Sequence, residues 1–457
     1  MSEEATLDNF VENEGESENE QDSEQHLPEV DKIPSDWRLV TVEDIADDLI
    51  GGGTPSKGNE EYWGGEIPWA SVKDLNGIEL AKTEDYITEA GVENSATNLI
   101  PQDSLVISTR MTVGEPFLNK VDMAINQDMK AILPDTEQAN PLFLVYSLWQ
   151  KDAYLKSLGR GTTVDGITTR DLSHTHLGLP PLPEQRKIAT VLYTVDQAIG
   201  KTEGVIDQIN TVKEGIKDDL FAGGLGDVDT TETRLGPVST EIPTHWDTAR
   251  IGDLFTDRQL GTDERGSTEE GDNIDLIKMG NLEFGTWDLS EVEKIEKDPK
   301  LLNEAGLQQG DLLFNTRNTP ELVGKTAVWE FDREAVYDNN LLRLRFGENI
   351  SSGHFVNAYL SSNIGRRQLR GRVHGTTSVA AIYWTNLQQV EIPVPPKEEQ
   401  REIVDTLQEL DRTRNHNESY RNRLQRLKRG LMQDLLSGKA RTTDTNIRVP
   451  DEIAQHG

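Results

Sequence analysis

Basic side chains are scarce in this chain, so the places where they gather carry information. Arg366, Arg367, Arg370, Arg372 and His374 fall within nine consecutive positions that hold no acid. In a chain of net charge −35 this is a local reversal of sign, of the kind needed to approach phosphates. The competing reading is a helix end whose arginines complement the helix dipole or pair with nearby acids. Lys151, Lys156, Arg160 and Arg170 form a weaker counterpart earlier in the chain. A second basic run, Arg421, Arg423, Arg426, Lys428 and Arg429, goes round a predicted helix. Asp207, Asp218 and Asp219 are candidate partners for it, and nucleic acid or another protein subunit are equal alternatives.

Motifs for catalysis are absent. Gly324-Lys325-Thr326 resembles the end of a phosphate-binding loop, but Thr319 stands where the motif needs glycine, which leaves a turn before a strand. Neither a dinucleotide-binding glycine fingerprint nor a Gly-x-Ser-x-Gly nucleophile elbow occurs. His174-Thr175-His176 lacks the further spaced ligands that a metal requires. With no cysteine, disulfides, thiolate metal sites and cysteine nucleophiles are excluded. Acid–base pairs cannot be picked by spacing among 81 carboxylates.

The elements that would position such groups occur twice. Ile33-Pro34-Ser35-Asp36-Trp37 returns as Ile242-Pro243-Thr244-His245-Trp246, and Pro180-Pro181-Leu182-Pro183-Glu184-Gln185 returns as Pro395-Pro396-Lys397-Glu398-Glu399-Gln400. A repeat of more than 200 residues means two complete modules, each burying its own core. In each, short strand-like runs such as Leu105-Val106-Ile107 and Leu312-Leu313-Phe314 are punctuated by turn residues. A helix follows in each: Asn140-Pro141 opens one that runs to about Leu158, and His354 to about Leu369 forms the other.

Both modules end in a heptad seam. Ile188, Leu192, Val195, Ile199, Thr202, Ile206, Ile209, Lys213, Ile216 and Leu220 step by fours and threes; Ile403, Leu407, Leu410, Arg414, Asn417, Arg421, Leu424, Lys428, Leu431 and Leu435 repeat them at a constant offset of 215. Such a rod cannot bury one stripe alone, and the economical partner for each is the other. Polar Thr202, Arg414, Asn417 and Arg421 fall mid-seam, where they would fix register at some cost in stability. The predicted fold is α+β, with two pseudo-two-fold-related modules joined by two long antiparallel coiled-coil helices. Its divisions are an acidic disordered tail (1–31), a first module (32–180), a central helix (181–225), a linker (226–240), a second module (241–393), a distal helix (394–440) and a C-terminal tail (441–457).

Residues 1–31 contain twelve carboxylates and no Lys or Arg, yet the excess acid runs through the whole chain. Such a surface suits a salt-rich cytoplasm, where repulsion is screened over about 3 Å at 1 M salt, as well as an ordinary acidic protein. No apolar run approaches a membrane span, and the acidic N-terminus is unlike a signal peptide, so a cytoplasmic location is expected.

Pro-Pro-x-x-Glu-Gln followed by a long heptad helix, found twice, resembles the specificity subunit of type I restriction-modification enzymes. So do Gly51-Gly52-Gly53-Thr54-Pro55-Ser56, Tyr62-Trp63-Gly64-Gly65, Ile67-Pro68-Trp69, Ser108-Thr109-Arg110 and Asn126-Gln127. The second module departs from the pattern, with Gly261-Thr262-Asp263 near the first loop and Asn339-Asn340 where the first module has Asn126-Gln127. The resemblance implies a non-catalytic reader of double-stranded DNA. Each recognition domain would read half of a split target, while the helices set the gap and dock two methyltransferase subunits, with restriction-translocase subunits added. S-adenosylmethionine, ATP and magnesium would belong to those partners, and this chain would bind no cofactor. The residues then expected at DNA are Thr54, Ser56, Lys57, Arg110, Asn126, Gln127, Arg160, Thr162 and Thr163 in the first domain. In the second they are Lys278, Arg317, Asn318, Arg366, Arg367, Arg370, Arg372, Thr376 and Thr377. Arg suits guanine, and Asn or Gln suits adenine. Two other readings are an enzyme with its own methyltransferase site, for which no Asn-Pro-Pro-Tyr-type motif is found, and an orphan split-site binder or antirestriction protein.

Overall fold

The computed structural model describes residues 33–159, 166–266, 272–376 and 378–454. The acidic tail, Arg160, Thr162, Thr163 and Thr377 therefore lie outside the described residues. The chain divides into two compact units, one made of residues up to Lys201 together with those from Arg421 onward, the other of Thr202–Tyr420. Both long helices, Leu182–Gly223 and Lys397–Leu436, contribute one half to each unit.

Unit 1 carries a five-stranded sheet, in which Ala46–Gly51, Met129–Pro134, Leu105–Ser108 and Pro116–Asn119 pair antiparallel and Glu79–Leu80 adds in parallel. A four-stranded sheet is built around Trp63–Ala70 and Met123–Ile125. Unit 2 repeats the first sheet with Phe255–Leu260, Leu341–Phe346, Leu312–Asn315 and Thr326–Val328. It repeats the parallel pair of the second with Asn273–Ile277 beside Ala335–Tyr337. The helix opened by Asn140 and Pro141 ends at Gln150, and Asp152–Ser157 follows after a break at Lys151. In unit 2 the break falls at Ser362, between Gly353–Ser361 and Asn363–Arg370, where its extended backbone and side chain cap the next helix.

The duplicated motifs meet in space, which explains their residue types. The Trp37 indole donates to Glu184 at 3.2 Å, and the Trp246 indole donates to Glu399 at 2.9 Å. Gln185 donates to the carbonyls of Gln138 and Pro180 and accepts from the Asn140 amide; Gln400 treats Asn349, Pro395 and the Ser351 amide alike. Pro-Pro-x-x-Glu-Gln is thus a helix start whose carboxylate fastens the module's first tryptophan and whose amide satisfies buried backbone groups. The same tryptophans also receive the far end of a long helix. Gly224 and Gly438 end the two helices at φ +72, where a Cβ would meet Pro243 and Pro34 at 2.5 and 2.3 Å and the tryptophan rings beyond.

The long helices pack antiparallel within each unit. In unit 1 Asp196 pairs with Lys428 at 2.7 Å, and Ile188, Ala189 and Leu192 share a core with Leu435 and Leu436. In unit 2 Lys213 pairs with Asp411 at 2.5 Å, and Leu220 and Phe221 share a core with Ile403, Val404 and Leu407. The offset of 215 maps Asp196 onto Asp411 and Lys213 onto Lys428, so one designed ion pair is used twice with the contributing helices exchanged. Every seam residue predicted from the heptad is buried or half-buried, including Val195, Ile199, Ile206, Ile209, Leu410, Leu424 and Leu431. Each fully buried Leu or Ile stabilises by about 1.5–3 kcal/mol.

Three expectations fail. Residues 226–240 are not a linker but mostly a hairpin, Thr230–Leu235 against Val238–Pro243, whose Leu235, Val238 and Ile242 join the unit 2 core. The C-terminal segment is no loose tail: Ile453 is buried in unit 1, and Arg441 grips Asp36 and Glu184. Lys428 pairs with Asp196 rather than with Asp207, Asp218 or Asp219. No helix among the described residues is long and apolar enough to cross a membrane.

Burial alone would raise the Glu184 carboxyl, but Arg441, the Thr442 amide and the Trp37 indole together hold it below the usual carboxylate range; the Arg441 hydrogen bond lowers Asp36 likewise. Depressed native carboxylates give stability that is complete above their unfolded pKa values and is lost as pH falls below about 5. Arg441→Ala should lower stability at pH 7 by about 2 kcal/mol, chiefly by leaving Glu184 buried without its cation. It should also lose less on further acidification than the parent. Urea unfolding at pH 7 and pH 4 measures both, and equal acid sensitivity in the two proteins would contradict the assignment.

Candidate nucleic-acid interface

In unit 1 the glycine loop lies against the turn that follows Met123–Ile125. The Gly53 amide donates to the Ile125 carbonyl at 2.9 Å, and a Cβ on Gly52 would sit 1.9 Å from the Asn126 carbonyl, so only glycine permits this approach. Two tryptophans in edge-to-face contact brace the loop: Trp69 donates to the Gly53 carbonyl and Trp63 to that of Ser56. Thr54 is thereby placed to donate to the Gln127 side chain. Asn126 is 5% exposed and exchanges hydrogen bonds with Asp128 through its amide nitrogen at 3.2 Å and its oxygen at 3.0 Å. Arg110 stands 4.0 Å from the Asp128 carboxylate with 60% of its side chain exposed. The loop Ser108-Thr109-Arg110 is anchored where Thr109 donates to the Asp128 carbonyl from both its amide and its hydroxyl.

Unit 2 repeats the backbone contacts of this frame. Thr262 donates to the Tyr337 carbonyl, a Cβ on Gly261 would meet the Tyr337 and Asp338 carbonyls at 2.1 and 2.4 Å, and Thr316 donates twice to the Asn340 carbonyl. These bonds correct the sequence register: Asp338 and Asn339 stand where Asn126 and Gln127 stand, one position before the expected Asn339-Asn340. The chemistry hung on the frame is different. The Asn126–Asp128 pair reappears reversed as Asp338–Asn340, with Asn340 donating through its amide at 3.1 Å and its side chain at 3.0 Å. Asp263 accepts from Asn339 where Thr54 donates to Gln127. Arg265, with no marked counterpart in unit 1, donates to Asn339 at 3.1 Å and lies 3.7 Å from Asp338. Burial pushes the Asp338 carboxyl up, while Asn340 and Arg265 oppose that.

The expected residues differ in exposure and in how far they are engaged within the chain. Ser56, Lys57, Arg110, Gln127, Arg317, Arg367, Arg370 and Thr376 are exposed. Thr54 and Asn318 are half-buried. Asn126 is structural. Lys278 is ion-paired to Glu293, so its charge is already matched. The arginine cluster from 366 to 372 divides by helix face: Arg366 lies over the Phe284 ring and near Glu214, and Arg372 donates to the carbonyls of Gln368 and Gln389. Arg367 and Arg370 remain at the surface. His174 bonds to its own turn, and no group of three potential metal ligands occurs among the described residues.

Sequence reasoning missed Arg265, Arg258, Tyr383 and Trp384. A cleft of about 230 Å³ beside Arg317 and Asn339 is lined by the last three, with the Arg258 guanidinium 4.7 Å over the Trp384 ring. Tyr383 and Leu260 are 55% and 54% exposed at its rim. Exposed amides, guanidiniums and apolar groups of this kind match base edges and methyl groups. Only Arg265 carried a sequence signal, since it follows the Gly261-Thr262-Asp263 loop.

Comparison with known proteins agrees with the duplicated frame. The family described as the type I restriction modification DNA specificity domain matches residues 34–211 and again 243–428. The MjaVIII specificity subunit of Methanocaldococcus jannaschii is 25% identical over 424 residues, 91% of this chain and 95% of that protein. The MjaIX specificity subunit of the same organism is 29% identical over 235 residues; that match spans half of this chain and only about half, 53%, of the relative. The Escherichia coli EcoR124I/EcoR124II specificity subunit is 34% identical over 167 residues, 35% of this chain and 41% of that protein. In fold, the S subunit structure from M. genitalium aligns with a TM-score of 0.54 at 14% identity, covering 88% of this chain and 96% of that one. The chain therefore belongs to the type I restriction-modification DNA specificity family and carries that family's domain twice.

Proposed function

We propose that the chain is the DNA sequence-specificity subunit of a type I restriction-modification complex, with each module reading one half of a bipartite target. The observation that carries this reading is the pairing of one backbone frame with two chemistries. Thr54, Gln127 and Asp128 in one module are replaced by Asp263, Asn339 and Asn340 at the equivalent frame positions of the other, with donor and acceptor exchanged. Two equal half-sites would need no such exchange; two different ones do. The chain is a non-catalytic reader. Methyltransferase subunits dock on it and supply S-adenosylmethionine chemistry, and restriction-translocase subunits bring ATP and magnesium. The acidic composition fits a cytoplasm rich in salt. There, phosphate contacts, whose affinity falls with a slope near −0.9 per contact in log–log terms, contribute little, and base-edge contacts together with partner subunits carry the binding.

Exchanging residues 33–180 for another recognition module should change one half of the methylated motif and leave the other half and the gap untouched. Single-molecule sequencing of host DNA reads this directly; a change in both halves, or in neither, would sink the modular reading.

The helix pair acts as the spacer. One heptad inserted after Ile206, with another opposite it near Asn417, adds about 10 Å of helix, equivalent to roughly three base pairs. Methylation should then move to sites with a gap longer by that amount. Retention of the original gap would contradict the spacer role.

A further inference from the structure

The residues that wall the cleft beside Arg317 have frame equivalents in unit 1. The Ile382 amide donates to the Thr316 carbonyl as the Ile167 amide does to that of Thr109, and Arg317 pairs with Ala381 as Arg110 pairs with Gly166. On the neighbouring strands Leu260 pairs with Leu342 as Gly51 pairs with Lys130, and Arg258 pairs with Leu344 as Leu49 pairs with Ile132. Tyr383 and Thr168 each precede a short helix as its cap residue. The frame is thus common to both units, but its lining is not. In unit 1 the place is polar: a Cβ on Gly51 would lie 2.8 Å from the Lys130 ammonium, and Thr168 and Thr169 stand where unit 2 has Tyr383 and Trp384. In unit 2 Leu260, Leu342, Tyr383 and Trp384 make the walls apolar.

These changes do not serve the fold. The Thr168 hydroxyl accepts from the Asp171 amide and so caps its helix, whereas Tyr383 makes no such bond, a loss of about 1 kcal/mol. The Tyr383 ring is instead 55% exposed, and Leu260 at the same rim is 54% exposed. Trp384 is held as a fixed wall, with the Phe255 ring edge-on at 4.7 Å and the Arg258 guanidinium over it at 4.7 Å. The charge around the arginine changes too. Arg110 stands 4.0 Å from the Asp128 carboxylate, but Asn340 takes that place in unit 2, and no acid lines the cleft. Among the described residues neither Arg317 nor Arg258 is ion-paired, in a chain of net charge −35.

We infer that the cleft reads a thymine beside a guanine: Arg317 takes the guanine edge, and Leu260 and Tyr383 contact the thymine C5 methyl group. Arginine bonds bidentately to guanine, and the methyl group of thymine is the apolar feature among the major-groove base edges. An unpaired guanidinium beside an exposed apolar wall offers both complements at neighbouring positions. Lys130 and the two threonines give unit 1 no such wall, so this methyl requirement belongs to the second half-site. Leu260 and Tyr383 are then specificity-determining residues. The inference rests on the reading of unit 2 as a half-site reader.

The test uses the full chain assembled with its methyltransferase subunits. Its methylated motif is read by sequencing host DNA, and the half that stays when residues 33–180 are exchanged is the one assigned to unit 2. Each thymine of that half-site, on either strand, is replaced singly by uracil, which removes only the methyl group. At one position next to a guanine, uracil should weaken binding about fourfold, as expected for one buried methyl group. Leu260→Gly with Tyr383→Thr, which restores the unit 1 residues, should bind the thymine and uracil duplexes equally, with circular dichroism showing the fold retained. A half-site without thymine, or one in which every uracil is tolerated, overturns the inference whatever the variant does. So does a thymine preference that survives in the double variant. Absence of any bipartite motif would instead overturn the proposed function, and this inference falls with it.

Discussion

The bond between a buried tryptophan and the first carboxylate of a long helix, Trp37 to Glu184 and Trp246 to Glu399, is the constraint on which the rest of the structure depends. It joins three things at one point in each unit: the strand entry of a module, the start of that module's own helix and, through the glycine beyond the tryptophan ring, the end of the other helix. The surroundings of the bond differ without altering it. In unit 1 a guanidinium from the C-terminal segment bridges Glu184 and Asp36, while in unit 2 His245, which occupies the place of Asp36, meets Glu399 directly at 2.8 Å. A charged acceptor held between an indole and a second donor tolerates exchange of that donor; it does not tolerate loss of the acceptor.

With helix starts and ends fixed, the loops can change chemistry at little structural cost. The turn after Met123–Ile125 and its counterpart after Ala335–Tyr337 keep every backbone bond while an amide and a carboxylate trade places. The same logic explains the duplicated ion pair. Asp196–Lys428 and Lys213–Asp411 occupy equivalent positions, yet aromatic rings cover one and a cavity opens beside the other. Frame interactions are repeated because both units need them, whereas whatever lies beside the frame is free to specialise.

The frame was the legible part of the sequence. Motifs such as Pro-Pro-x-x-Glu-Gln and Ile-Pro-x-x-Trp satisfy buried partners in both copies, so they recur in type and spacing, and the seam from Ile188 to Leu220 is visible as a period. The reading surface was much less legible. Asp338 was displaced by one position because the two turns share hydrogen bonds rather than residue types. The hairpin at 230–243 carries its burial on Leu235, Val238, Ile242 and Pro243, among polar residues that read as a linker. The arginines from 366 to 372 looked like one patch, but the helix turns two of them toward Glu214 and the Gln389 carbonyl. Arg258 and Tyr383 meet only through tertiary structure, being separated by well over a hundred residues.

A double-mutant cycle on Trp246 and Glu399, using Trp246→Phe, Glu399→Ala and the double variant, tests most directly whether the tryptophan–carboxylate bond holds the frame, because no bridging arginine contributes on that side. Urea unfolding of the four proteins should give a coupling energy of about 1.5–3 kcal/mol, as for a hydrogen bond to a charged group. A coupling near zero, with the two single substitutions simply additive, would contradict the account.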